Sequence, residues 1–410
     1  MPQVPPSVSE LARSPELRGC LDWFRQERAW INELHLKLCR VPAPTFFEGP
    51  RAEWMAERFR EAGWEARIDK AGNVIACLPG RKADPSIAVT AHLDTVLAPR
   101  NADDITVSTS DGRFLGPGVS DNGVGLTALI ALAGAWKAAP PQFTGNGKLT
   151  PVLIANVGEE GEGNLSGMRF VCRAANATRP RAFLVLDGPN TDHITCRALA
   201  SRRFEVIVSG PGGHSWSDHG AGNPVHAISR AITIFTDSVP TGDVPRSSFN
   251  FGLVRGGTSV NSIPSEARAK VDLRSEDPAR IDQLAALLES SVERAIELEN
   301  ARGNVNRVAA KVKEIGSRPG GALAEGSTLL ETIRLVDAFL GIRSSLDCSS
   351  TDANIPLSMG LPAISIGAGG QGGGAHTAAE WFHPEGREVG LRRVLLTLCM
   401  LLTDSGKELR

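Results

Sequence analysis

Two histidines and a set of carboxylates stand where apolar runs of this chain end. The run Ile87–Ala91 leads into His92, and Asp94 follows two residues later. In an extended chain residues i and i+2 share a face. Asp94 can therefore hold one imidazole nitrogen of His92 while the other takes a metal. The run Pro151–Val157 leads into Gly158-Glu159-Glu160-Gly161-Glu162-Gly163. Carboxylates crowded at a strand end repel one another strongly unless a cation neutralises them. A third run, Ala182–Leu186, ends in Asp187. The glycine-rich turn Gly116–Gly125 carries Asp121 and opens a helix. Such a turn is a generic anion site. Here no lysine follows the glycines, and an aspartate sits where a phosphate would, which favours Asp121 as a ligand. The glycine cluster from Gly367 to Gly374 runs into His376 and not into a helix, so it reads as an approach to a liganding histidine and not as a nucleotide loop.

Nitrogen and oxygen donors without cysteine suit zinc, manganese or cobalt. Two such ions about 3.5–4 Å apart can share one bridging carboxylate, clamp a hydroxide and polarise a carbonyl. A spare carboxylate beside them would shuttle the proton. Of Glu159 and Glu160, one is expected to coordinate and the other to serve as base. A serine hydrolase is the weaker alternative. His214-Ser215 and His219 lie together, but no Gly-x-Ser-x-Gly elbow occurs.

Positioning these groups requires strands that end at one place. Helical patterns cover residues 10–40 and Glu48–Ala62, the latter closed by Gly63. Trp64–Ile68 and Asn73–Cys77 read as strands, and Asp103–Arg113 as a polar loop. A helix is expected over Leu126–Ala138. Strands alternating with helices imply a mainly parallel sheet, whose sites gather at the strand carboxyl ends. From about residue 196 the texture changes. Arg202–Ser209, Ser247–Val254, Ala267–Leu273 and Val305–Ile315 read as strands, with helices over Asn223–Asp237 and Pro278–Leu298. This βαββαβ order is that of a small α+β domain inserted into the α/β one. Helix Thr328–Phe339, strand Pro362–Gly367 and helix Val389–Leu402 return to the first style. The expected domains are 1–195 and 316–410 for the catalytic part, with 196–315 for the insert.

Composition narrows the class. At 410 residues, with 41% hydrophobic and 22% charged residues, the chain suits a two-domain globular protein. A net charge of −2 gives no sign of nucleic-acid binding. Met1–Glu10 lacks the basic start and apolar core of a secretory signal, and no apolar run is long enough for a membrane span. The seven cysteines are scattered, with no Cys-x-x-Cys pair, so a reduced cytoplasmic protein is expected.

The stretches AHLDTV, GPGVSDNGVG, NVGEEGEG, LDG, GGHSW, GGTSVNSIP, VDLRS, SSTDAN and GGGAHTAAEW, in this order, resemble the co-catalytic zinc family of carboxypeptidase G, peptidase T, aminoacylase and succinyl-diaminopimelate desuccinylase. The resemblance runs from about residue 40 to near the end. It implies a catalytic domain interrupted by a lid domain that also forms a homodimer. Carried over by motif, it implies that His92 and Asp187 bind one metal ion, Glu160 and His376 the other, and that Asp121 bridges them across a cis peptide to Asn122. Glu159 would be the general base, acting on a metal-bridging hydroxide, and Asp94 would orient His92. His214 would reach the partner subunit's active site and stabilise the oxyanion. Asn261 and Arg274 would reach the substrate, the arginine fork gripping a carboxylate. The two ions are expected to be Zn2+, with Mn2+ or Co2+ as alternatives. The implied reaction is cleavage of a peptide or N-acyl C–N bond in a small carboxylate-bearing substrate. A non-peptide C–N bond on the same site, or a non-catalytic binding relative, are the competing readings. An aspartate at 187 resembles the peptidase T side of the family. The long connection Asp192–Ala200 and Trp216 beyond His214 match neither peptidase T nor carboxypeptidase G closely.

Overall fold

A computed structural model describes residues 7–81, 85–141, 149–173, 180–240, 245–303 and 306–403. Expectations for Met1–Pro6 and for Val305, the first residue of the expected last lid strand, lie outside the described residues. The chain divides into two compact units, Met1–Ala198 with Ala322–Arg410, and Leu199–Gly321.

The larger unit is organised on a sheet with strands in the order Glu65–Ile68, Val74–Cys77, Thr150–Asn156, Ser86–His92, Pro180–Leu186, Ala363–Ile366, His193–Ala198. Its centre is parallel: Ser86–His92 lies between Thr150–Asn156 and Pro180–Leu186, and Ala363–Ile366 joins the latter. These strands read as unbroken apolar runs because both faces are covered. Alternate residues enter different cores. Ile87, Val89, Ala91, Leu153, Leu184 and Leu186 pack with helices Pro15–Gln26, Arg28–Cys39, Gly123–Ala138 and Arg387–Thr403. Ala88, Val152, Ile154, Phe183 and Val185 pack on the opposite face against Met168, Val171, Ile355 and Leu357. The sheet thus fixes the carboxyl ends of its central strands, which carry His92, Glu159, Glu160 and Asp187.

Several boundaries differ from the sequence expectation. The N-terminal helical region is three helices, Val8–Arg13, Pro15–Gln26 and Arg28–Cys39, because the Ser14 hydroxyl caps a new start at Pro15. The central helix begins at Gly123, three residues before Leu126, since the Asn122 side chain accepts from the Gly125 amide at 3.1 Å. A Cβ on Gly125 would strike that same Asn122 oxygen. The stretch Asp192–Ala200 is no simple connection. His193–Ala198 is a strand, paired in parallel with Ser345–Ser349, a strand missed in the sequence. Within the expected polar loop, Ser108–Ser110 pairs with Arg113–Leu115. Strands of three to five mostly polar residues leave no periodicity to detect.

The smaller unit is a four-stranded antiparallel sheet in the order Ser247–Gly256, Glu266–Ser275, Ala200–Ser209, Ala309–Arg318. Helices Pro224–Ser238 and Pro278–Arg302 cover one face. Phe204, Val206, Val208, Ala269, Val271 and Leu273 face Ile228, Phe235, Leu284 and Leu288. Here the strand residues alternate buried and half-exposed, as expected for a sheet covered on one side. The fold class is α/β with an inserted α+β unit. Among the described residues no helix is long and apolar enough to cross a membrane.

Candidate metal centre

Strand ends and two glycine-rich loops bring six side chains together. His92 is the last residue of its strand and is buried. Its Nδ1–H donates to the Asp94 backbone carbonyl at 3.0 Å, with the Asp94 Oδ1 at 3.5 Å. That fixes the ring so that Nε2 meets Asp121 Oδ1 at 2.9 Å and Asp187 Oδ1 at 3.9 Å. On the other side His376 Nε2 lies 2.6 Å from Glu160 Oε1 and 3.0 Å from Asp121 Oδ2. The two oxygens of Asp121 therefore face different histidines. The Asp121–Asn122 peptide is cis.

Among the described residues, three groups have ligand atoms within 4.8 Å of one another: His92, Asp121 and Asp187; Asp121, Glu160 and His376; and His92, Glu159 and Glu160. Glu159 and Glu160 are both buried. Their backbone amides donate to the two oxygens of Asp94, at 3.0 and 2.9 Å, and Thr45 Oγ1 donates to Oδ2 at 3.0 Å. Asp94 thus has a wider role than orienting His92, since it also fastens the loop that carries both glutamates.

The crowding of charge shows in the proton affinities. Burial, reinforced by the Asp121 charge, pushes the Asp187 carboxyl up to about 7. Hydrogen bonds to Asp121 and Glu160 raise the His376 imidazole to about 10. Burial disfavours a charged His92, but its bonds to Asp121 and Asp94 outweigh it and raise that pKa well above the usual value. Burial likewise opposes ionisation of Asp121, yet the two imidazoles hold it low. The carboxylates crowded here are of the kind a divalent cation neutralises. The donor set of two imidazole nitrogens and buried or half-buried carboxylate oxygens, without thiolate, fits zinc, manganese or cobalt.

His214, Asn261 and Arg274 belong to the smaller unit. His214 is exposed, and its Nδ1 accepts from the Trp216 and Ser217 amides at 3.2 and 3.4 Å. That leaves the proton on Nε2, which is then a donor. The short pairing His214 with Ser262 brings Asn261 to the same corner, where its carbonyl accepts from Ser215 N at 3.0 Å. Arg274 donates from Nε to Asp272 Oδ2 at 2.6 Å, while Arg203 Nε holds Asp272 Oδ1 at 3.0 Å. The carboxylate at Arg274 in this structure is thus that of Asp272.

Sequence reasoning passed over Glu380. It lies four residues beyond His376, inside a motif quoted for its histidine, and its buried carboxylate accepts from the backbone of the Asp121 loop. Only the four-residue spacing hinted at it. Asp352, in Ser349-Ser350-Thr351-Asp352, was also passed over; it is buried and accepts from Asn156 Nδ2 at 2.6 Å.

Comparison with known proteins adds family evidence. Residues 200–298 match the peptidase dimerisation domain, and residues 73–202 match peptidase family M28. The uncharacterized protein YqjE of Bacillus subtilis is 24% identical over 357 residues, 83% of this chain and 90% of that one. Aminopeptidase PepT of Bacillus cereus shares the fold with a TM-score of 0.70 at 21% identity, over 91% of this chain and 98% of that one. A dinuclear metal-binding peptidase of the M20 family from Bacillus subtilis does so with a TM-score of 0.66 at 17% identity, over 93% of this chain and all of the other.

Proposed function

From the membership of this chain in the M20 family of metallopeptidases, which makes it a metal-dependent hydrolase, we propose that it cleaves an amide C–N bond in a small substrate bearing a free carboxylate, a short peptide or an N-acyl amino acid. The observation that carries this is Asp121, whose two oxygens face His92 and His376 from one carboxylate. In this reading His92 and Asp187 would hold one ion and Glu160 and His376 the other, with Asp121 available to both. Two divalent cations, zinc in our reading, would supply Lewis acidity toward the scissile carbonyl and acidify a water.

The chain's own residues do the rest. Glu159, held beside His92 and Glu160, accepts the proton of the attacking water and returns it to the leaving nitrogen. Asp94 keeps His92 in one tautomer and keeps the Glu159–Glu160 backbone fixed. In a homodimer formed by the smaller unit, the partner's His214 donates its Nε2–H to the oxyanion. Asn261 and Arg274 receive the substrate, with the guanidinium taking its carboxylate in competition with Asp272. The seven free thiols support a reducing, cytoplasmic setting.

The test is turnover of the zinc-loaded protein, and of manganese and cobalt forms, on dipeptides, tripeptides, N-acyl amino acids and carbamoyl or aryl-amine compounds. Hydrolysis within the first three classes is expected. Turnover confined to the last would replace the peptide reading by the non-peptide one, and none at all with two ions bound would sink both.

A further inference from the structure

Glu380 lies in the segment that carries His376, yet its carboxylate serves the segment that carries Asp121. Oε2 accepts from the Gly118 amide at 2.7 Å. Oε1 accepts from the Ser120 amide at 2.8 Å, from Ser120 Oγ at 2.9 Å and from the Asp121 amide at 2.9 Å. The Gly116 amide donates to the Glu380 backbone carbonyl at 3.2 Å. Both Glu380 and Ser120 are buried. The contact extends a strand ladder, because Trp381 pairs with Leu115 and Phe382 with Phe114 in the residues just beyond. Where that ladder ends, the carboxylate continues the zip up to the amide of Asp121.

We propose that Glu380 is a positioning residue that sets the distance and angle between Asp121 and His376, and so the geometry in which one carboxylate serves two ions. The inference rests on the reading of Asp121 as the shared ligand. A loop of glycines has little rigidity of its own, and Asp121 must present two oxygens to two histidines. Four charge-assisted hydrogen bonds to one buried carboxylate supply that rigidity. The carboxylate is specifically required. Glutamine has the same shape but one acceptor oxygen, so its NH2 would face an amide N–H on one side or the other. A buried donor set against a donor is costly, and the loop would shift to relieve it.

The test compares wild type, Glu380→Gln, Glu380→Asp and Asp121→Ala. Zinc content and affinity are measured by elemental analysis and calorimetry, the visible spectrum on the cobalt-loaded protein, and kcat separately from KM. Asp121→Ala should lose both ions. Glu380→Gln should bind metal about 10- to 100-fold more weakly, as for other groups that orient a ligand, and shift the cobalt absorption. Its kcat should fall with KM nearly unchanged. Glu380→Asp, which keeps both acceptors on a shorter arm, should recover part of each. If Asp121→Ala loses its metal but Glu380→Gln keeps wild-type affinity, spectrum and kcat, the proposal is wrong while the site reading stands. If Asp121→Ala retains both ions, the site reading fails and the proposal falls with it. Should Glu380→Gln not fold, Ser120→Ala decides. It removes one donor from the carboxylate and should weaken metal binding by about threefold, whereas unchanged affinity and spectrum would overturn the role.

Discussion

Glu159 precedes Glu160, which faces His376, and the amides of both are pinned to Asp94. Among the described residues Glu160 groups with Asp121 and His376 as well as with His92, whereas Glu159 groups with His92 and Glu160. Glu159→Gln removes the proposed proton acceptor without removing a proposed ligand. It should keep both ions and substrate affinity while kcat drops about a hundredfold or more, read by steady-state kinetics beside metal analysis. Near-normal kcat would move the base elsewhere. Arg274 offers a second residue-level test. Arg274→Lys keeps the charge but loses the planar fork, so KM for a carboxylate substrate should rise by the equivalent of roughly 1.5–3 kcal/mol. The corresponding carboxamide should be a poor substrate for wild type. Equal hydrolysis of acid and amide would remove Arg274 from substrate reading and leave it as the partner of Asp272. At this scale the candidate residues were legible because apolar runs led into His92, the Glu159–Glu160 loop and Asp187, and glycine-rich stretches carried Asp121 and His376. What Asp94 and Glu380 hold was not, because most of their partners are backbone amides 65 to 262 positions away.

Strands carry the site, and helices hold the strands in place. Helices Thr328–Leu340 and Arg387–Thr403 are locked by Arg393, whose Nε and Nη2 each lie 2.7 Å from an oxygen of Asp337. Ser344 Oγ adds a third bond to that carboxylate at 2.6 Å. Arg393 is 0% and Asp337 4% exposed. Arg393→Ala would strand a buried carboxylate and should destabilise the protein by about 3–5 kcal/mol in denaturant unfolding. Arg393→Met with Asp337→Leu should regain most of that, since well-packed apolar residues often match a buried pair. A small loss in the single variant, with no recovery in the double, would show that the pair is not a lock. Elements of this kind were visible in the sequence wherever they were long and apolar. Ser345–Ser349 and Ser108–Ser110 were not, being short, polar and defined only by the strands they pair with.

For the molecule as a whole, the proposal divides one active site between two chains, with His214 supplied by the partner of the chain that supplies Glu159. Inactive His214→Ala and inactive Glu159→Gln subunits, once exchanged, should then form heterodimers that recover part of the wild-type rate, with dimer mass checked by light scattering. Proven exchange without recovery would mean that each chain is catalytically self-sufficient. The sequence by itself determined the strand–helix alternation, the inserted βαββαβ unit and the inventory of candidate metal-ligating groups, because hydrophobic period and residue chemistry are local properties. Tertiary structure decided which groups meet: that Asp121 faces both histidines, that Asp94 secures the glutamate loop, that Arg274 lies against Asp272, and that Glu380 grips the Asp121 loop. Those pairings depend on sheet order and loop closure, and residues distant in the chain acquire defined separations only when the fold brings their backbones together.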